Sequence, residues 1–218
     1  MADQKPTIAV IGGTGALGSG LAQRWASAGY DIIIGSRSAE NAEKKAAEMS
    51  GGSIRGLENG DAAAAADIVV LTVPFGTHQA MLEAVRDGAQ GKILIDATVP
   101  LVPPKVARVQ LPPAGSAAKA AQEFLGDGVK VVSAFQNVAA DLLQDPNATI
   151  DCDVLVCGNS RAARQSAVDL AEAAGLTAWH AGSIDNSAAA EALTSILIFI
   201  NRNDLDHAGI RITGEPKA

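Results

Sequence analysis

The chain has 218 residues, of which 48% are hydrophobic and 19% are charged, and its formal net charge at pH 7 is −7. This composition is typical of a folded globular protein and excludes a disordered chain. The acidic balance excludes a nucleic-acid-binding surface, because phosphate contacts need clustered Lys and Arg.

Short apolar runs alternate with alanine-rich helical patterns through the first half of the chain. Strands are predicted at 7–11, 31–34, 53–57, 68–72 and 92–96, and helices at 17–28, 40–49 and 77–87. The runs at 68–71 and 93–95 are continuously apolar, as strands buried on both faces of a parallel sheet are. This alternation predicts an α/β fold with a doubly wound parallel sheet of the Rossmann type.

A proline-rich segment at 100–113 interrupts this alternation. Proline fixes φ and lacks an N–H donor, so the segment is predicted to be a long loop. Beyond it, strands are predicted at 129–133 and 153–157, and helices at 116–125, 161–173 and 188–201.

The compartment is indicated by the lack of a targeting segment and by the cysteines. Residues 1–6 hold no apolar signal core, and the lipophilic stretch at 193–200 is far shorter than the ~20 residues that cross a bilayer. This stretch is predicted to be a buried helix, and no membrane partner is expected. Cys152 and Cys157 are five positions apart on one predicted strand and cannot easily pair, which favours a reduced, cytoplasmic protein.

A glycine-rich turn follows the first predicted strand and opens the first predicted helix. Gly13, Gly15 and Gly18 are in the GxGxxG register. In this register Gly13 permits the tight turn, Gly15 lets a pyrophosphate approach the backbone, and Gly18 allows close helix–strand packing. Free amides at the helix N-terminus would face the phosphates. The turn predicts a dinucleotide site with contacts from Gly13, Thr14, Gly15, Ala16, Leu17 and Gly18. The alternative is a glycine turn that binds nothing.

The end of the second predicted strand indicates which dinucleotide is preferred. NAD sites carry an acidic residue at this position, whereas this chain has Gly35, Ser36 and Arg37. A guanidinium can pair with a 2′-phosphate that a carboxylate would repel, so NADP(H) is predicted. The alternative is that Arg37 is an ordinary solvated charge.

The second reactant is expected outside the carboxyl ends of the next strands, where open parallel sheets bind ligands. Thr72, Val73 and Pro74 follow one strand, and Val99 and Pro100 follow another. These residues would border the nicotinamide, although ordinary strand-to-loop transitions account for the prolines equally well.

Acid–base groups are scarce near this region. Of the three histidines only His78 lies close to it, and its pattern favours a polar surface position over a catalytic one. The only tyrosine, Tyr30, lies in the cofactor half, which excludes short-chain dehydrogenase chemistry. Hydride exchange between two redox cofactors needs stacking geometry more than a proton donor, and it therefore suits this chain. No metal site is predicted.

Motifs along nearly the whole chain resemble one family. They are Gly-Gly-Thr-Gly-Ala-Leu-Gly at 12–18, Gly-Ser-Arg at 35–37, Leu-Thr-Val-Pro at 71–74, Val-Val-Ser-Ala at 131–134, Val-Cys-Gly at 156–158, and Asn186-Ser187 followed by Glu191, Leu193, Thr194 and Asn201. Together they are similar to the NADPH-dependent F420 reductases, also called F420H2:NADP oxidoreductases.

The resemblance implies reversible hydride transfer between nicotinamide C4 and C5 of the deazaflavin coenzyme F420. It also implies a homodimer with an NADP(H)-binding Rossmann domain, placed at 1–127, and a small C-terminal α/β domain, placed at 128–218. Thr14, Ser36 and Arg37 would hold the 2′-phosphate, and Pro74 and Val99 would border the nicotinamide. The C-terminal domain would complete an acceptor pocket, for which His78, Gln136, Asn137, Asn186 and Ser187 are the candidates.

Two positions depart from the family pattern. Asn41 stands where members often have a lysine that binds the phosphate, with Lys44 and Lys45 further along the helix, and Gln136 stands where members often have a histidine. Two alternatives therefore stay open: an NADP(H)-binding redox sensor without turnover, and a reductase of a different small acceptor.

Overall fold

Eight short strands, mostly built from Ile, Val and Leu, form one sheet in the computed structural model, which describes residues 5–215. The strands are β1 Ile8–Ile11, β2 Ile32–Ser36, β3 Ile54–Glu58, β4 Ile68–Leu71, β5 Ile93–Asp96, β6 Lys130–Ser133, β7 Asp153–Gly158 and β8 Thr177–Gly182. Their order is β3-β2-β1-β4-β5-β6-β7-β8. All neighbours are parallel except β6 and β7.

Helices connect these strands and cover both faces of the sheet. They are α1 Ala16–Ser27, α2 Ala39–Ala47, α3 Asn59–Ala65, α4 Phe75–Val85, α5 Ala117–Leu125, α6 Ala140–Gln144, α7 Arg161–Ala173 and α8 Ser187–Asn203, with a 3-10 turn at Ile184–Asn186 before α8. Every helix within residues 5–215 is too short or too polar to cross a bilayer.

The core consists of two apolar clusters. In one cluster Trp25 of α1 packs edge-on against Phe135, with ring centroids 5.9 Å apart, and its indole N–H donates to the carbonyl of Leu170 at 2.7 Å. In the other cluster Leu82 of α4 and Ala121 of α5 are fully buried. Because strands such as β1 and β4 are apolar at every position, they contribute to both clusters.

Arg24, near the end of α1, joins this helix to later parts of the chain. Its guanidinium donates to the carbonyl oxygens of Leu142, Leu143, Asp145, Ala148 and Ala174, at distances between 2.9 and 3.1 Å. Burial lowers the pKa of Arg24, but the five acceptors satisfy its charge. The helix that starts at the glycine turn is therefore anchored at its other end.

The α/β fold with a doubly wound, mostly parallel sheet is confirmed, and the predicted strands lie within about two residues of the observed ones. Residues between β5 and α5 form no helix or strand, as the prolines predict. The helices α3 and α6 and the strand β8 were not predicted. The antiparallel pairing of β7 with β6 was not predicted either. Strands β6 to β8 continue the sheet of β1 to β5, and the domain division at residue 127 stays a prediction.

The prediction of a buried helix at 193–200 is wrong for one face of α8. Ile196 is 51% exposed and Phe199 is 56% exposed, so two large apolar side chains point away from the core. The opposite face, which includes Glu191, Ser195 and Leu197, is buried.

Candidate functional site

The turn between β1 and α1 needs glycine for steric reasons. Gly12 has φ +77°, and a Cβ there would lie 2.8 Å from the carbonyl oxygen of Thr72. A Cβ on Gly18 would lie 2.5 Å from Thr72 Oγ1. The tight turn was predicted at Gly13, but the residue with left-handed φ is Gly12. Gly13 is restricted for another reason, because a Cβ on Gly13 would lie 2.7 Å from the carbonyl oxygen of Val10. The turn thus brings α1 close to the end of β4.

The N-terminus of α1 differs from those of α2, α5 and α7. Serine side chains cap those three helices, whereas α1 begins after Gly15 with no side-chain cap. The first turn of α1 also holds no acidic residue. Thr14, Gly15 and Ala16 are exposed. The first amides of a helix have no intrahelical acceptor and carry partial positive charge, so this end can accept an anion such as a diphosphate.

A cavity of about 950 Å³ opens at this helix end. It is bounded by the glycine turn, the end of β2, one face of α2, and the segment from β4 into α4. Its lining residues are Gly12, Thr14, Gly15, Ser36, Arg37, Ser38, Asn41, Lys44, Lys45, Glu48, Asn59, Thr72, Val73, Pro74, Thr77, Ala80 and Met81.

The cavity wall formed by β2 and α2 is basic, although the chain as a whole is acidic. Asn41, Lys44, Lys45 and Glu48 follow one another at helical spacing and share one face of α2. Lys45 pairs with Glu48 at 3.3 Å. Arg37 and Lys44 make no side-chain hydrogen bond or ion pair with any residue between 5 and 215, so two cations are available to a ligand phosphate.

Asn59 is a lining residue that sequence analysis missed. It opens α3 directly after β3 and is only 6% exposed. Its Nδ2 lies 3.3 Å from the sulfur of Met81, while its buried Oδ1 has no partner within the described part of the chain. A polar residue at the carboxyl end of a parallel strand was the available signal.

The remaining predicted cofactor residues do not line the cavity. Gly13, Ala16, Leu17 and Gly18 belong to the turn and to the first turn of α1, where Gly13 and Gly18 are buried. Val99 is partly buried and Pro100 is buried, both just past the end of β5. Asp96, the last residue of β5, is paired with Leu71 of β4. Val99 and Pro100 therefore follow the strand next to β4, whose following segment lines the cavity.

The prediction of a surface position for His78 is wrong. His78 is 4% exposed, and its Nε2 lies 2.7 Å from Oδ2 of Asp96, which is fully buried. The ring of Phe75 lies nearly parallel to the imidazole, with centroids 6.2 Å apart. Among residues 5–215, no three His, Cys, Asp or Glu side chains converge as metal ligands would.

Gln136 and Asn137 are also buried and bonded within the protein. Gln136 donates from Nε2 to the carbonyl oxygen of Asp96 and to Oγ of Ser133, both at 2.8 Å. Asn137 donates to the carbonyl oxygen of Asp153 at 2.8 Å. Neither residue lines the large cavity.

The start of α8 holds the other acceptor-pocket candidates. Asn186 is exposed and donates to the carbonyl oxygen of Ala181 at 2.7 Å. Ser187 is buried, and its hydroxyl lies 2.6 Å from that of Ser116. The five candidates therefore do not form one open pocket with the large cavity, and their role stays a prediction.

Glu191 connects α8 to α5. Its two carboxylate oxygens accept hydrogen bonds from the main-chain N–H groups of Ala117 and Ala118, at 2.6 and 3.0 Å. Burial raises the pKa of Glu191 to about 8, because it outweighs the opposite effect of these two donors.

Both cysteines are free, as predicted, and burial raises the pKa of Cys157 to about 11.

Comparisons with known proteins agree with this geometry. The model of the family described as coenzyme F420-dependent NADP oxidoreductase matches residues 7–100. The chain is 44% identical to the F420-dependent NADP reductase of Methanothermobacter thermautotrophicus over 96% of both chains. It is 41% identical to that of Methanocaldococcus jannaschii, over 94% of this chain and 97% of the other.

A solved structure from Arthrobacter sp. FB24, described as a candidate F420-dependent NADP reductase, is also similar. It superposes with a TM-score of 0.78 at 26% identity, over 91% of this chain and 94% of the other. The chain belongs to the family of coenzyme F420-dependent NADP oxidoreductases.

Proposed function

We propose that this chain transfers a hydride between NADP(H) and coenzyme F420. The observation that carries the nucleotide half of the proposal is the cavity, which joins the uncapped N-terminus of α1 to the unpartnered Arg37. Membership of the family supports the deazaflavin as the other reactant.

The cavity residues fit the two charged parts of NADP(H). The main-chain amides that follow Gly15 would bind the diphosphate, because they are exposed and no carboxylate competes for them. Ser36 and Arg37 would bind the 2′-phosphate, and Arg37 can do so through two N–H donors at once. Lys44 of α2, which also lines the cavity, would add a second positive charge.

The nicotinamide end is assigned to Thr72, Val73 and Pro74 on one side and to Val99 and Pro100 on the other. In the forward reaction the hydride leaves nicotinamide C4 and bonds to C5 of the deazaflavin, while a solvent proton completes the reduced deazaflavin ring. The protein has to hold the two rings face to face and exclude water, and no side-chain acid is required.

We further propose that residues 128–218 complete the acceptor pocket and contribute contacts between two copies of the chain. Ile196 and Phe199 are three positions apart on α8 and form an exposed apolar patch that a second copy would cover. Separately, the two free cysteines favour a reduced, cytoplasmic location for the enzyme.

The deazaflavin assignment is tested with purified protein, NADPH and F420. Loss of the absorbance of oxidised F420, with consumption of one mole of NADPH per mole of F420 reduced, is the expected result, and NADH should react more slowly. Binding of NADPH without any turnover of F420 would overturn the assignment and leave a nucleotide-binding sensor or a reductase of a different acceptor.

The homodimer is tested by sedimentation velocity. Wild type is expected to sediment as a dimer, and Phe199→Glu as a monomer, because a buried carboxylate at an apolar interface is unfavourable. Arg161→Glu, an exposed change at the start of α7, is the control and should stay dimeric. A monomeric wild type would contradict the proposal.

A further inference from the structure

A buried polar pair, His78 and Asp96, lies next to the cofactor cavity without lining it. Nε2 of His78 is 2.7 Å from Oδ2 of Asp96, and the two side chains are 5% and 0% exposed. The other carboxylate oxygen of Asp96 accepts a hydrogen bond from the main-chain N–H of Thr98 at 2.9 Å. Both carboxylate oxygens are therefore occupied within the protein.

The pair joins two segments that are separate in sequence. His78 lies in the first turn of α4, which starts at Phe75, directly after the cavity-lining Pro74. Asp96 is the last residue of β5 and, through Thr98, holds the segment that leads to Val99. The hydrogen bond thus joins the start of α4, which follows β4 and Pro74, to the end of β5. The nicotinamide ring is assigned between these two segments.

The burial of this pair needs a reason. Polar groups in a protein interior are costly to desolvate, and well-packed apolar residues of similar size are often as stabilising or more so. A directional bond, in contrast, fixes the separation of two backbone segments in a way that apolar contacts do not.

We propose that His78 and Asp96 are positioning residues, which fix the separation of Pro74 and Val99 and thereby the orientation of the nicotinamide for hydride transfer. The proposal rests on the proposed function. Neither side chain has to touch the nucleotide, because misplacement of a reacting group by about 1 Å can cost a hundredfold in rate.

The test compares three substitutions. His78→Phe keeps the ring and removes the bond, His78→Gln restores a polar partner for the carboxylate, and Asp96→Asn keeps an acceptor for Thr98. We expect His78→Phe to slow single-turnover hydride transfer from NADPH to F420 by about ten- to a hundredfold. The Kd for NADPH should stay within about threefold, and the Gln and Asn variants should fall between wild type and Phe.

A control separates positioning from stability. Leu82→Ala removes a fully buried side chain one turn later on the same face of α4. It should lower the Tm but leave the single-turnover rate near that of wild type. An unchanged rate in His78→Phe, no recovery by Gln, or an equal loss of rate in Leu82→Ala would overturn the proposal. If His78→Phe does not fold, His78→Leu, which is smaller and also removes the bond, takes its place, and a wild-type rate in that variant overturns the proposal as well.

A second readout is independent of F420. The fluorescence of bound NADPH reports the mobility and surroundings of its nicotinamide, and it should change in His78→Phe but not in Leu82→Ala. If wild type does not reduce F420, the proposed function fails, while this fluorescence still decides the positioning role: equal emission in wild type and His78→Phe rejects it.

Discussion

Two groups of polar side chains in this protein differ in whether they have partners. Around the cavity, Arg37 and Lys44 have no side-chain partners among residues 5–215, and the N-terminus of α1 has no side-chain cap. Around α8 and the end of β5, buried polar groups such as Asp96, Gln136 and Glu191 are bonded within the chain. The first region keeps its hydrogen-bonding capacity for a ligand, whereas the second uses it to hold helices and strand ends in place.

This difference separates substitutions that change binding from those that change stability. Loss of a positively charged side chain that lines the cavity should weaken nucleotide binding and leave the fold intact. Loss of a bonded group in the second region should destabilise the fold or misplace a strand end, with little direct effect on nucleotide affinity. The four predictions that follow test this separation, from the largest expected effect to the smallest.

Gly18→Val should lower both stability and NADPH binding, because Gly18 belongs to the glycine turn and also lies where α1 packs against the end of β4. The new side chain would collide with Thr72 and with the main chain of Gly12 and push α1 away from β4. We expect the free energy of unfolding to fall by about 3 kcal/mol, with loss of NADPH binding. Denaturant unfolding and a fluorescence titration measure the two effects.

The matched control for Gly18 is Gly76→Ala in the first turn of α4. A Cβ at Gly76 meets nothing within 4 Å, and its φ is not positive, so alanine should stabilise by about 0.5–1 kcal/mol. Gly18→Val with wild-type stability would contradict the close approach of α1 to β4.

Arg37→Ala should affect binding alone. Its loss removes charge-assisted hydrogen bonds to the 2′-phosphate, so NADPH binding should weaken by about 1.5 to 3 kcal/mol while NADH binding hardly changes. Parallel titrations with the two nucleotides measure the difference. An equal loss for NADPH and NADH would show that Arg37 does not recognise the 2′-phosphate.

Glu191→Gln should affect stability alone, and in a pH-dependent way. Because burial raises the folded-state pKa of Glu191 to about 8, the folded protein keeps a proton that the unfolded chain loses above its ordinary pKa of 4.5. Stability from this group is therefore complete below pH 4.5 and falls as the pH rises towards 8. Relative to the Gln variant, the free energy of unfolding should drop by about 1 kcal/mol per pH unit between pH 5 and 7.5.

The measurement for Glu191 is urea unfolding of both proteins at several pH values. The Kd for NADPH at constant pH serves as the control, and it should be the same for the two proteins. Identical pH slopes would show that Glu191 ionises in the folded protein as it does in the unfolded chain.

Lys44→Ala should have the smallest effect. Lys44, an exposed lysine seven positions after Arg37, adds a single charge, so NADPH affinity should fall about two- to fivefold and NADH affinity should not change. Lys45→Ala is the matched control on the same helix, because Lys45 is already paired with Glu48 and should have less effect. A larger effect for Lys45 than for Lys44 would reverse this assignment.

Local sequence was enough to locate several residues that border the cavity, although it missed Asn59. The glycine turn, Ser36 and Arg37 are read from short segments whose structure depends on neighbouring residues, and the alternation of apolar strands and helices located β1 to β5. The family that the motifs resemble is confirmed by the relatives. The assignment of the left-handed turn residue was one position out, since Gly12 and Gly13 look alike in sequence.

The second region was largely missed because it depends on distant contacts. The burial of His78 follows from Asp96, 18 positions away, and that of Glu191 follows from amides more than 70 positions away. The helix α6 has only five residues, too few for a helical period to show. The strand β8 is a partly exposed edge strand that contains His180 and exposed Trp179, so it lacks the apolar run that marked the others.

The five carbonyl acceptors of Arg24 make α1, and with it the glycine turn, dependent on the later half of the chain. All five belong to residues 142–174, so the helix that follows the glycine turn is held near its C-terminal end by residues from the second half of the sequence. Heating should consequently melt both halves in a single cooperative transition, and a fragment that stops before residue 142 would lack all five acceptors of Arg24 and the contacts that hold this end of α1.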